Sequence, residues 1–358
     1  MSIQLQYTGL FGLAPKKLVG GVKGGLIVQQ EPPEDGILKY LHIGTETLSV
    51  KRNIFLCKYI YNETEKDLVA KRPWYPPKAD EGAKQRIDKK FLFEAEVAYI
   101  LKEGKTAKEY TGVGKPMSLK PSDYAKIYQA YEGIKRHEGY NYIHKFVHLV
   151  LEPLILLSEP CIGSLKHAIM NNFDRATGQK PCLLVEDQQL PMDLITICRQ
   201  TCAGIDYMHW MGFAHCDIKP ENILYAFDEG TQNLHCYITD FEGSAPIESE
   251  DAFIHSIHEM DVYTKEYVPP RNLMSAGMNV SVVDKYAIAG TILSCLVLVL
   301  PNGAKTYRDE YEIGMIDWSN NIRHEQPLLQ VCHNIINAES VGDISTFYEH
   351  MKTIVVHS

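Results

Sequence analysis

The chain has 358 residues, of which 45% are hydrophobic, and a formal net charge of −9 from 36 basic and 45 acidic residues. This length and apolar content exclude a disordered protein and suffice for one large two-lobed domain or two ordinary domains. Because the chain is acidic and has no long basic run, nucleic acid is not expected as its principal partner.

Cysteine usage and hydropathy indicate the cellular compartment in which the protein is expected. Nine cysteines are scattered along the chain without a C-x-x-C pair, which favours a reducing compartment and predicts a cytoplasmic protein. The N-terminus lacks the basic start and apolar run of a signal peptide. The most apolar run, 287–300, has 14 residues and is shorter than the roughly 18 that span a bilayer. It predicts a buried core helix and no membrane span.

Glycine dominates the first part of the chain. Residues 1–36 hold seven glycines and predict an extension before the first domain. No Gly-Lys-Ser/Thr ends the glycine cluster, so a Walker phosphate loop is not expected. Three β-rich runs follow at 37–43, 53–61 and 68–72, and the polar residues 62–67 predict a hairpin turn between the last two.

A helix is predicted at 90–101, where the composition is helical. Glu94 has apolar residues at offsets −3, +3, +4 and +7, which predicts that it lies on the buried face. Glu96 has the charged Glu103 at offset +7 and fits that face less well. A capping serine and recurring apolar residues predict a further helix within 121–135.

The second half of the chain carries the most informative stretch. Two strands are predicted at 143–151 and 154–157, and a long helix at 194–211. The helix leads into 213–224, which reads Phe-Ala-His-Cys-Asp-Ile-Lys-Pro-Glu-Asn-Ile-Leu, and 18 residues after Asn222 comes Asp-Phe-Glu-Gly. A carboxylate near an attacking hydroxyl and hard oxygen ligands for magnesium are what phosphoryl transfer requires.

These motifs resemble those of the eukaryotic-type protein kinase family. His215-x-Asp217-x-x-x-x-Asn222 resembles the catalytic loop, and Asp240-Phe-Glu-Gly resembles the magnesium-binding D-F-G element. Six matched positions in order are hard to explain by chance. The resemblance implies an α+β, bilobal, protein-kinase-like fold with a β-rich N-lobe and a mostly α-helical C-lobe. The resemblance is to serine/threonine kinases, because Lys219 and Thr264 are what these kinases carry at those positions. It is a divergent one, because Cys216 replaces the usual arginine before the catalytic aspartate.

The resemblance also assigns roles in the C-lobe. Asp217 would accept the proton of the attacking hydroxyl, and Lys219 would neutralise charge on the moving phosphate. Asn222 and Asp240 would hold Mg²⁺ against the phosphates of ATP. Asp284, at the start of the apolar helix, would anchor the catalytic loop near His215. The expected acceptor is a protein.

In the N-lobe, Leu-Val-Ala-Lys71 resembles the strand whose lysine holds the ATP phosphates, and Glu94 would be its partner on the following helix. An alternative register makes Glu132 that partner. Gly44 is the one glycine left of the family's phosphate loop, and Glu46 would bring a negative charge near the phosphates. The adenine would bind backbone groups near Ser158 to Pro160 in the hinge, around Glu159.

The resemblance sets expected boundaries. Residues 1–36 would be an N-terminal extension, 37–158 the N-lobe and 159–358 the C-lobe. The N-lobe would carry an insertion at about 103–140, because the family's helix normally leads quickly into the next strand. That insertion would either bind a partner protein or merely extend the lobe.

Departures from the family pattern keep other functions open. Glu242 stands in the glycine position of D-F-G, and Arg271 stands where a glutamate is expected, with Asp343 as its predicted ion-pair partner. One alternative is a pseudokinase that acts as a scaffold or binding module. Another is a small-molecule phosphotransferase similar to aminoglycoside and choline kinases, which share H-x-D-x-x-x-x-N. Such divergence would also suit a kinase delivered into a host cell cytoplasm.

Overall fold

The computed structural model of the protein describes fourteen segments of the chain, and all structural statements refer to them. They are residues 4–5, 16–17, 26–30, 39–47, 53–61, 64–103, 137–151, 154–166, 194–228, 233–247, 253–260, 262–275, 277–296 and 326–357. Most of the predicted insertion, 104–136, lies outside them, as does Glu132.

The chain forms two compact units. The N-terminal unit contains residues 1–131 and 144–160, and the C-terminal unit contains residues 132–143 and 161–358. The predicted division after residue 158 therefore lies two residues before the structural one. A short segment ahead of the last two strands of the N-terminal unit belongs to the C-terminal unit.

An antiparallel sheet forms most of the N-terminal unit. Its strands are β3 (Leu26–Gln30), β4 (Lys39–Thr47), β5 (Ile54–Tyr61), β6 (Thr64–Lys71), β7 (Phe146–Leu151) and β8 (Leu154–Ser158), which follow a short pair, β1 (Gln4–Leu5) and β2 (Lys16–Lys17). The sheet has six strands in the order β3-β4-β5-β6-β8-β7.

The predicted start of this unit at residue 37 is too late. Strand β3 pairs with β4 from Leu26 opposite Ile43 to Gln30 opposite Lys39, so the sheet begins inside the predicted extension. Leu-Ile-Val at the start of β3 has the branched apolar side chains that strands favour. The β-propensity of these few residues is hard to recognise in the sequence, because glycine-rich residues precede them.

Helix α1 (Glu81–Glu103) packs on this sheet. It begins earlier than the predicted residue 90, because Asp80 Oδ1 accepts a hydrogen bond from the Ala83 N–H at 2.6 Å and caps the first turn. Phe91 and Ala95 on α1 share a buried cluster with Leu149 and Leu156 of the sheet. This apolar contact fixes which face of the helix looks inward.

The C-terminal unit is mostly helical. Its elements are β9 (Gly163–Ser164), α2 (Leu194–Trp210), β10 (Phe213–Ala214), β11 (Ile223–Phe227), β12 (Leu234–Ile238), β13 (Ala245–Pro246), β14 (Phe253–Ile254), α3 (Arg271–Met274), β15 (Met278–Asn279), α4 (Val280–Leu296), α5 (Gln326–Ile336) and α6 (Val341–His357). The strand-rich N-terminal unit and helical C-terminal unit confirm the α+β, kinase-like fold.

Helix α4 lies at the centre of the C-terminal unit. Its inward residues Tyr286, Ile288, Ala289 and Ile292 are fully buried, and it packs against α2, α5 and α6. The predicted buried core helix is thus confirmed for residues 287–295, and residues 297–300 of the apolar run lie outside the described segments. Among the helices described, none is both long and apolar enough to span a membrane.

The cysteines of the described segments are free thiols. Seven of these eight are buried. Burial raises the pKa of the Cys57 thiol to about 12 and also raises the pKa of Cys216, Cys236 and Cys332. Thiols held in the protonated form are poor nucleophiles, so these cysteines act as small apolar core residues.

Candidate active site

In the N-terminal unit, Lys71 and Glu94 form an ion pair. Lys71 is the last residue of β6, and its Nζ lies 2.7 and 2.8 Å from the two carboxylate oxygens of Glu94 on α1. The Glu94 side chain is 4% exposed, whereas that of Lys71 is 21% exposed. A buried carboxylate requires such a partner, and the partly exposed ammonium can still face an anion. Glu94 rather than Glu96 makes this contact.

The segment that carries Gly44 departs from a regular ladder. Strands β4 and β5 are in register up to Ile43 opposite Cys57, and pairing resumes at Thr47 opposite Phe55 after a register shift. Gly44 lies within this irregular stretch. Residues 48–52 lie outside the described segments.

Glu159 follows β8 directly, and its main-chain polar groups are both engaged within the N-terminal unit. Its N–H donates to the Lys145 carbonyl oxygen at 3.0 Å. Its carbonyl oxygen lies 2.7 Å from Nε2 of His144, which is buried and therefore has its pKa lowered to about 4. A neutral His144 donates through Nε2–H to that oxygen. The Glu159 N–H is therefore already committed within the N-terminal unit, and the binding of adenine to backbone groups near Ser158 to Pro160 stays a prediction.

In the C-terminal unit, the catalytic loop is held by a buried carboxylate. Asp284 on α4 accepts hydrogen bonds from the backbone N–H groups of His215 and Cys216, each at 2.7 Å. His209, near the end of α2, contacts the same carboxylate at 2.9 Å. The contact between Asp284 and the loop is the one that the resemblance implied. The role of His209 had no sequence signal, because a single histidine near a helix end is common in helices of every kind.

The loop backbone is strained at one position. Cys216 has φ of +66°, a left-handed conformation that costs a residue other than glycine on the order of 1 kcal/mol or more. Asp284 accepts the N–H of Cys216 itself and that of the preceding His215, and these two hydrogen bonds hold the strained residue in place.

Asp217 is the centre of a hydrogen-bond network. Its Oδ2 accepts from Lys219 Nζ at 2.5 Å and from Asn222 Nδ2 at 3.2 Å, and its Oδ1 accepts from the Thr264 hydroxyl at 2.7 Å. Lys219 Nζ also donates to Thr264 Oγ1 at 2.8 Å. The aspartate is only 5% exposed, so these donors fix the orientation of its carboxylate. Such a fixed carboxylate can accept a proton from a nearby hydroxyl.

Thr264 reaches this network from a distant part of the chain. It precedes a short 3₁₀ turn, Lys265–Tyr267, which is anchored to α4 by a 3.2 Å hydrogen bond from the Tyr267 hydroxyl to Ser294 Oγ. The sequence analysis did not predict that this threonine contacts Asp217 and Lys219.

Asp240 lies beside Asn222 through the pairing of two strands. Ile223 on β11 is opposite Ile238 on β12, and the Thr239 N–H donates to the Asn222 carbonyl oxygen at 3.1 Å. Asp240 has φ of +66° and ψ of +67°, a left-handed conformation that aspartate tolerates better than most residues. This strand pairing therefore brings the Asn222 amide and the Asp240 carboxylate into the same region of the C-terminal unit.

Strand β12 is itself fixed from the helix side. Gln200 on α2 donates from Nε2 to the Leu234 carbonyl oxygen at 2.9 Å and accepts from the Cys236 N–H at 2.7 Å. His215 Nε2 lies 2.9 Å from the Thr239 carbonyl oxygen, one residue before Asp240. These contacts lock the segment that carries Asp240 to the helix and to the catalytic loop.

Glu242 and Gly243 belong to a 3₁₀ turn, Phe241–Gly243, that directly follows Asp240. A Cβ at Gly243 would lie 3.3 Å from Val262 Cβ, 3.4 Å from the His215 carbonyl oxygen and 3.5 Å from Asp217 Cβ. The glycine that permits close packing on the catalytic loop is therefore Gly243.

The predicted ion pair between Arg271 and Asp343 is wrong. Asp343 accepts the Ser340 N–H at 3.0 Å and caps the start of α6, and no ion pair to Arg271 occurs among the described residues. Ser340 Oγ in turn accepts the Asp343 N–H at 3.1 Å. Ser340 and Asp343 form a capping box, so the Asp343 carboxylate is bound within its own helix start. A comparison of distant sequence segments does not reveal such a local contact.

The donor set suits a hard divalent cation. Asn222 Nδ2 is committed to the Asp217 carbonyl and carboxylate oxygens, so its Oδ1 is the amide atom that can face a cation, and Asp240 supplies a carboxylate. The described segments contain no cluster of three or more His, Cys, Asp or Glu side chains that could hold a metal. Magnesium does not require one, because it is usually held by one or two side chains together with substrate phosphates and waters.

Comparison with known proteins gives a consistent result. A family model described as "Protein kinase domain" matches residues 140–344, which is more than half of the chain. The chain is 33% identical over 109 residues to a probable serine/threonine-protein kinase, fhkB, of Dictyostelium discoideum, a match that covers 30% of the chain and 9% of the relative.

Two further relatives have the same kind of name. Serine/threonine-protein kinase dkf-1 of Caenorhabditis elegans is 37% identical over 102 residues, which cover 28% of the chain and 13% of the relative. MAP kinase-activated protein kinase 2 of Drosophila melanogaster is 36% identical over 77 residues, which cover 22% of the chain and 20% of the relative. The chain thus matches less than a quarter of the length of each of these three relatives. From the extent of the family match, the chain belongs to the eukaryotic-type protein kinase family.

Proposed function

We propose that this protein is an active serine/threonine kinase that transfers the γ-phosphate of ATP to a protein hydroxyl. The observation that carries the proposal is the buried Asp217 carboxylate, which is held by Lys219, Asn222 and Thr264. Lys219 and Thr264 both contact the Asp217 carboxylate, so an acceptor hydroxyl that also contacts this carboxylate would lie close to both side chains. The names of the relatives support serine or threonine as the acceptor.

Asp217 accepts the proton of the substrate hydroxyl as the hydroxyl oxygen bonds to the γ-phosphorus and the bond from that phosphorus to the oxygen of the departing ADP breaks. Its contacts orient the carboxylate before the substrate arrives, so little reorganisation is needed during the reaction. Lys219, whose Nζ lies between Asp217 and Thr264, neutralises negative charge on the transferred group. Protonation of Asp217 removes the negative charge of its carboxylate, so the hydrogen bond between Lys219 Nζ and Asp217 weakens. The Lys219 ammonium can then face the phosphate.

ATP is the proposed phosphate donor, and Mg²⁺ its companion ion. Asn222 and Asp240 would hold the ion, which neutralises charge on the phosphate oxygens when bound. In the N-terminal unit, Lys71 would bind the phosphates, and Glu94 keeps its ammonium in place through the 2.7 Å contact. Gly44 is proposed to lie near the phosphates.

A pseudokinase is the second candidate function, and one observation favours it. Gly44 is the one glycine between the regular parts of β4 and β5, so the backbone there is less able to approach phosphate groups than a glycine-rich loop would be. A protein of this kind would bind a partner without transferring phosphate. The complete set of Lys71, Asp217, Asn222 and Asp240 supports activity instead.

Transfer of label from γ-labelled ATP tests the proposal. Purified protein with Mg²⁺ would be incubated alone and with a generic basic protein, and labelled amino acids would be separated after hydrolysis. We expect phosphoserine or phosphothreonine from the wild type and a loss of about 10²-fold to 10⁴-fold in Asp217→Asn, since a general base contributes rate factors of this size. Asp228→Asn, at the exposed end of β11, is the matched control and should keep full activity.

Each outcome separates the candidates. No transfer by the wild type, with ATP still raising the melting temperature, would support the pseudokinase. Equal activity in Asp217→Asn would show that another group is the base. Transfer to an aminoglycoside or to choline, but not to protein, would identify a small-molecule phosphotransferase.

A further inference from the structure

The segment Ser158–Pro160, at the end of β8, has an unusual set of backbone hydrogen-bonding groups. The N–H and the carbonyl oxygen of Glu159 both point toward the chain that leads into β7, where they meet the Lys145 carbonyl oxygen and His144 Nε2. One edge of the segment is therefore closed by contacts within the N-terminal unit.

On the opposite edge, no hydrogen bond to the Pro160 carbonyl oxygen occurs among the described residues, so this edge is open beyond the sheet in that part of the chain. Backbone groups of successive residues in an extended chain point to alternate edges, and a residue before proline is restricted to extended conformations. Since Glu159 precedes Pro160 and faces β7, its neighbours Ser158 and Pro160 face the other way, toward the side where β6 lies. Ser158 is in register with Val69 of β6 and belongs to the ladder. Pro160, the residue beyond it, has no N–H.

This open edge lies at a suitable distance from the proposed phosphate-binding lysine. Lys71 is in register with Leu156, which precedes the segment Ser158–Pro160 by two to four residues. At ~3.3 Å per residue, the separation along the sheet is about 7 to 13 Å. This is the scale on which a nucleotide extends from its base to its phosphates. A purine whose phosphates contact Lys71 can thus place its edge against this segment.

Adenine presents two adjacent groups to such an edge. Its N6 amino group donates hydrogen bonds, and its N1 accepts one. The Pro160 carbonyl oxygen can accept from the amino group. Beyond the ladder, up to Pro160, the backbone offers no N–H for N1, because that of Glu159 is bound to Lys145 and Pro160 has none.

We propose that Pro160 is a specificity-determining residue, and that adenine N1 receives no hydrogen bond from the Ser158–Pro160 segment. This inference rests on the proposed function, since it takes ATP as the ligand. The base is then held by its amino group and by apolar contact. His144 contributes as a positioning residue, because it keeps the Glu159 carbonyl oxygen on the opposite edge.

The test compares ATP with its 1-deaza analogue, in which N1 is replaced by C–H. Binding of each nucleotide with Mg²⁺ would be titrated calorimetrically on the full chain, for the wild type and for Pro160→Ala. We expect the two nucleotides to bind the wild type within about twofold of each other. In Pro160→Ala the restored N–H should strengthen ATP binding about fivefold and leave the analogue unchanged, as for one ordinary hydrogen bond.

Pro77→Ala is the matched control, because Pro77 is also an exposed proline of the N-terminal unit and should leave both affinities unchanged. Wild-type protein that binds the 1-deaza analogue fivefold or more weakly than ATP would overturn the inference and leave the kinase proposal standing. This comparison does not depend on how well Pro160→Ala folds. Wild-type protein and Pro160→Ala that bind neither nucleotide would overturn the inference together with ATP as the donor.

Discussion

The two units place their charged residues in different ways. In the N-terminal unit, the candidate site depends on the ion pair of Lys71 with Glu94, which joins a strand to a helix. In the C-terminal unit, Asp217 accepts from three side chains, and Asp284 holds the loop backbone with two further hydrogen bonds. The family model matches residues 140–344, which include most of the unit with the dense network and only residues 144–160 of the N-terminal unit.

This difference has a physical reason. A buried polar group without a partner is costly, so each member of a dense network constrains the residue types of the others. The constrained residues lie close together in the sequence, within 215–222, and therefore form a recognisable sequence motif. A single ion pair constrains two positions that are 23 residues apart, and its surroundings can vary freely.

The largest expected effect is the loss of unfolding free energy when a buried carboxylate is removed, compared between Asp284 in the C-terminal unit and Glu94 in the N-terminal unit. Asp284→Ala leaves the N–H groups of His215 and Cys216 buried without their acceptor, and we expect a loss of about 4 kcal/mol in the free energy of unfolding. Glu94→Ala should cost about 2 kcal/mol, because the Lys71 ammonium is partly exposed and can turn to water. Equilibrium urea unfolding measures both. Equal losses would contradict the proposed contrast between the units.

The second expected effect uses the same substitution in both units. A Cβ at Gly139 would lie 1.9 Å from the Ala203 carbonyl oxygen and 2.6 Å from Tyr207 Cβ, both on α2. Since neither contact can move aside easily, Gly139→Ala should destabilise the protein by about 3 kcal/mol. At Gly82, in the first turn of α1, the nearest atoms are at 3.5 Å, and Gly82→Ala should add about 0.5 kcal/mol. Thermal unfolding of the two variants checks the signs.

A third prediction sharpens the comparison at Asp217. Thr264→Ala removes the 2.7 Å hydrogen bond to the carboxylate, and we expect the phosphorylation rate to fall about tenfold, the equivalent of ~1.4 kcal/mol. Thr264→Ser keeps the hydroxyl and should stay within about threefold of the wild type. Steady-state rates with a protein substrate give both numbers. A similar loss in the two variants would assign the effect to packing of the methyl group instead.

The smallest expected effect is a pH dependence in the N-terminal unit. Burial lowers the pKa of His144 from its ordinary value of 6.5 to about 4. Between these values the unfolded chain binds a proton that the folded chain does not, so stability is present above pH 6.5 and is lost as the pH falls toward 4. From about pH 7 to pH 5.5 we expect a loss of about 1 kcal/mol.

His144→Gln is the reference for that measurement. The glutamine amide can still donate to the Glu159 carbonyl oxygen, but it does not titrate. The difference in unfolding free energy between wild type and variant should therefore shrink or reverse as the pH falls. A difference that is independent of pH would show that folding leaves the pKa of His144 unchanged, contrary to this prediction.

Several structural features were not readable from the sequence. Strand β3 was missed because five residues give a weak signal beside many glycines. The pairing of Arg271 with Asp343 was wrong because Ser340 and Asp343 satisfy each other locally. The contacts of Thr264 with Asp217 and of His144 with Glu159 join residues 47 and 15 positions apart, and no periodicity encodes such distances.

The sequence alone determined the family, the α+β class and the order of the charged residues, because these depend on local residue types and on apolar periodicity. Tertiary structure decided which atoms meet: which glutamate contacts Lys71, which donors hold Asp217, and which edge of the chain at Pro160 remains open. These contacts depend on how separate elements pack, and packing is fixed by the satisfaction of buried polar groups and the filling of space across the whole unit.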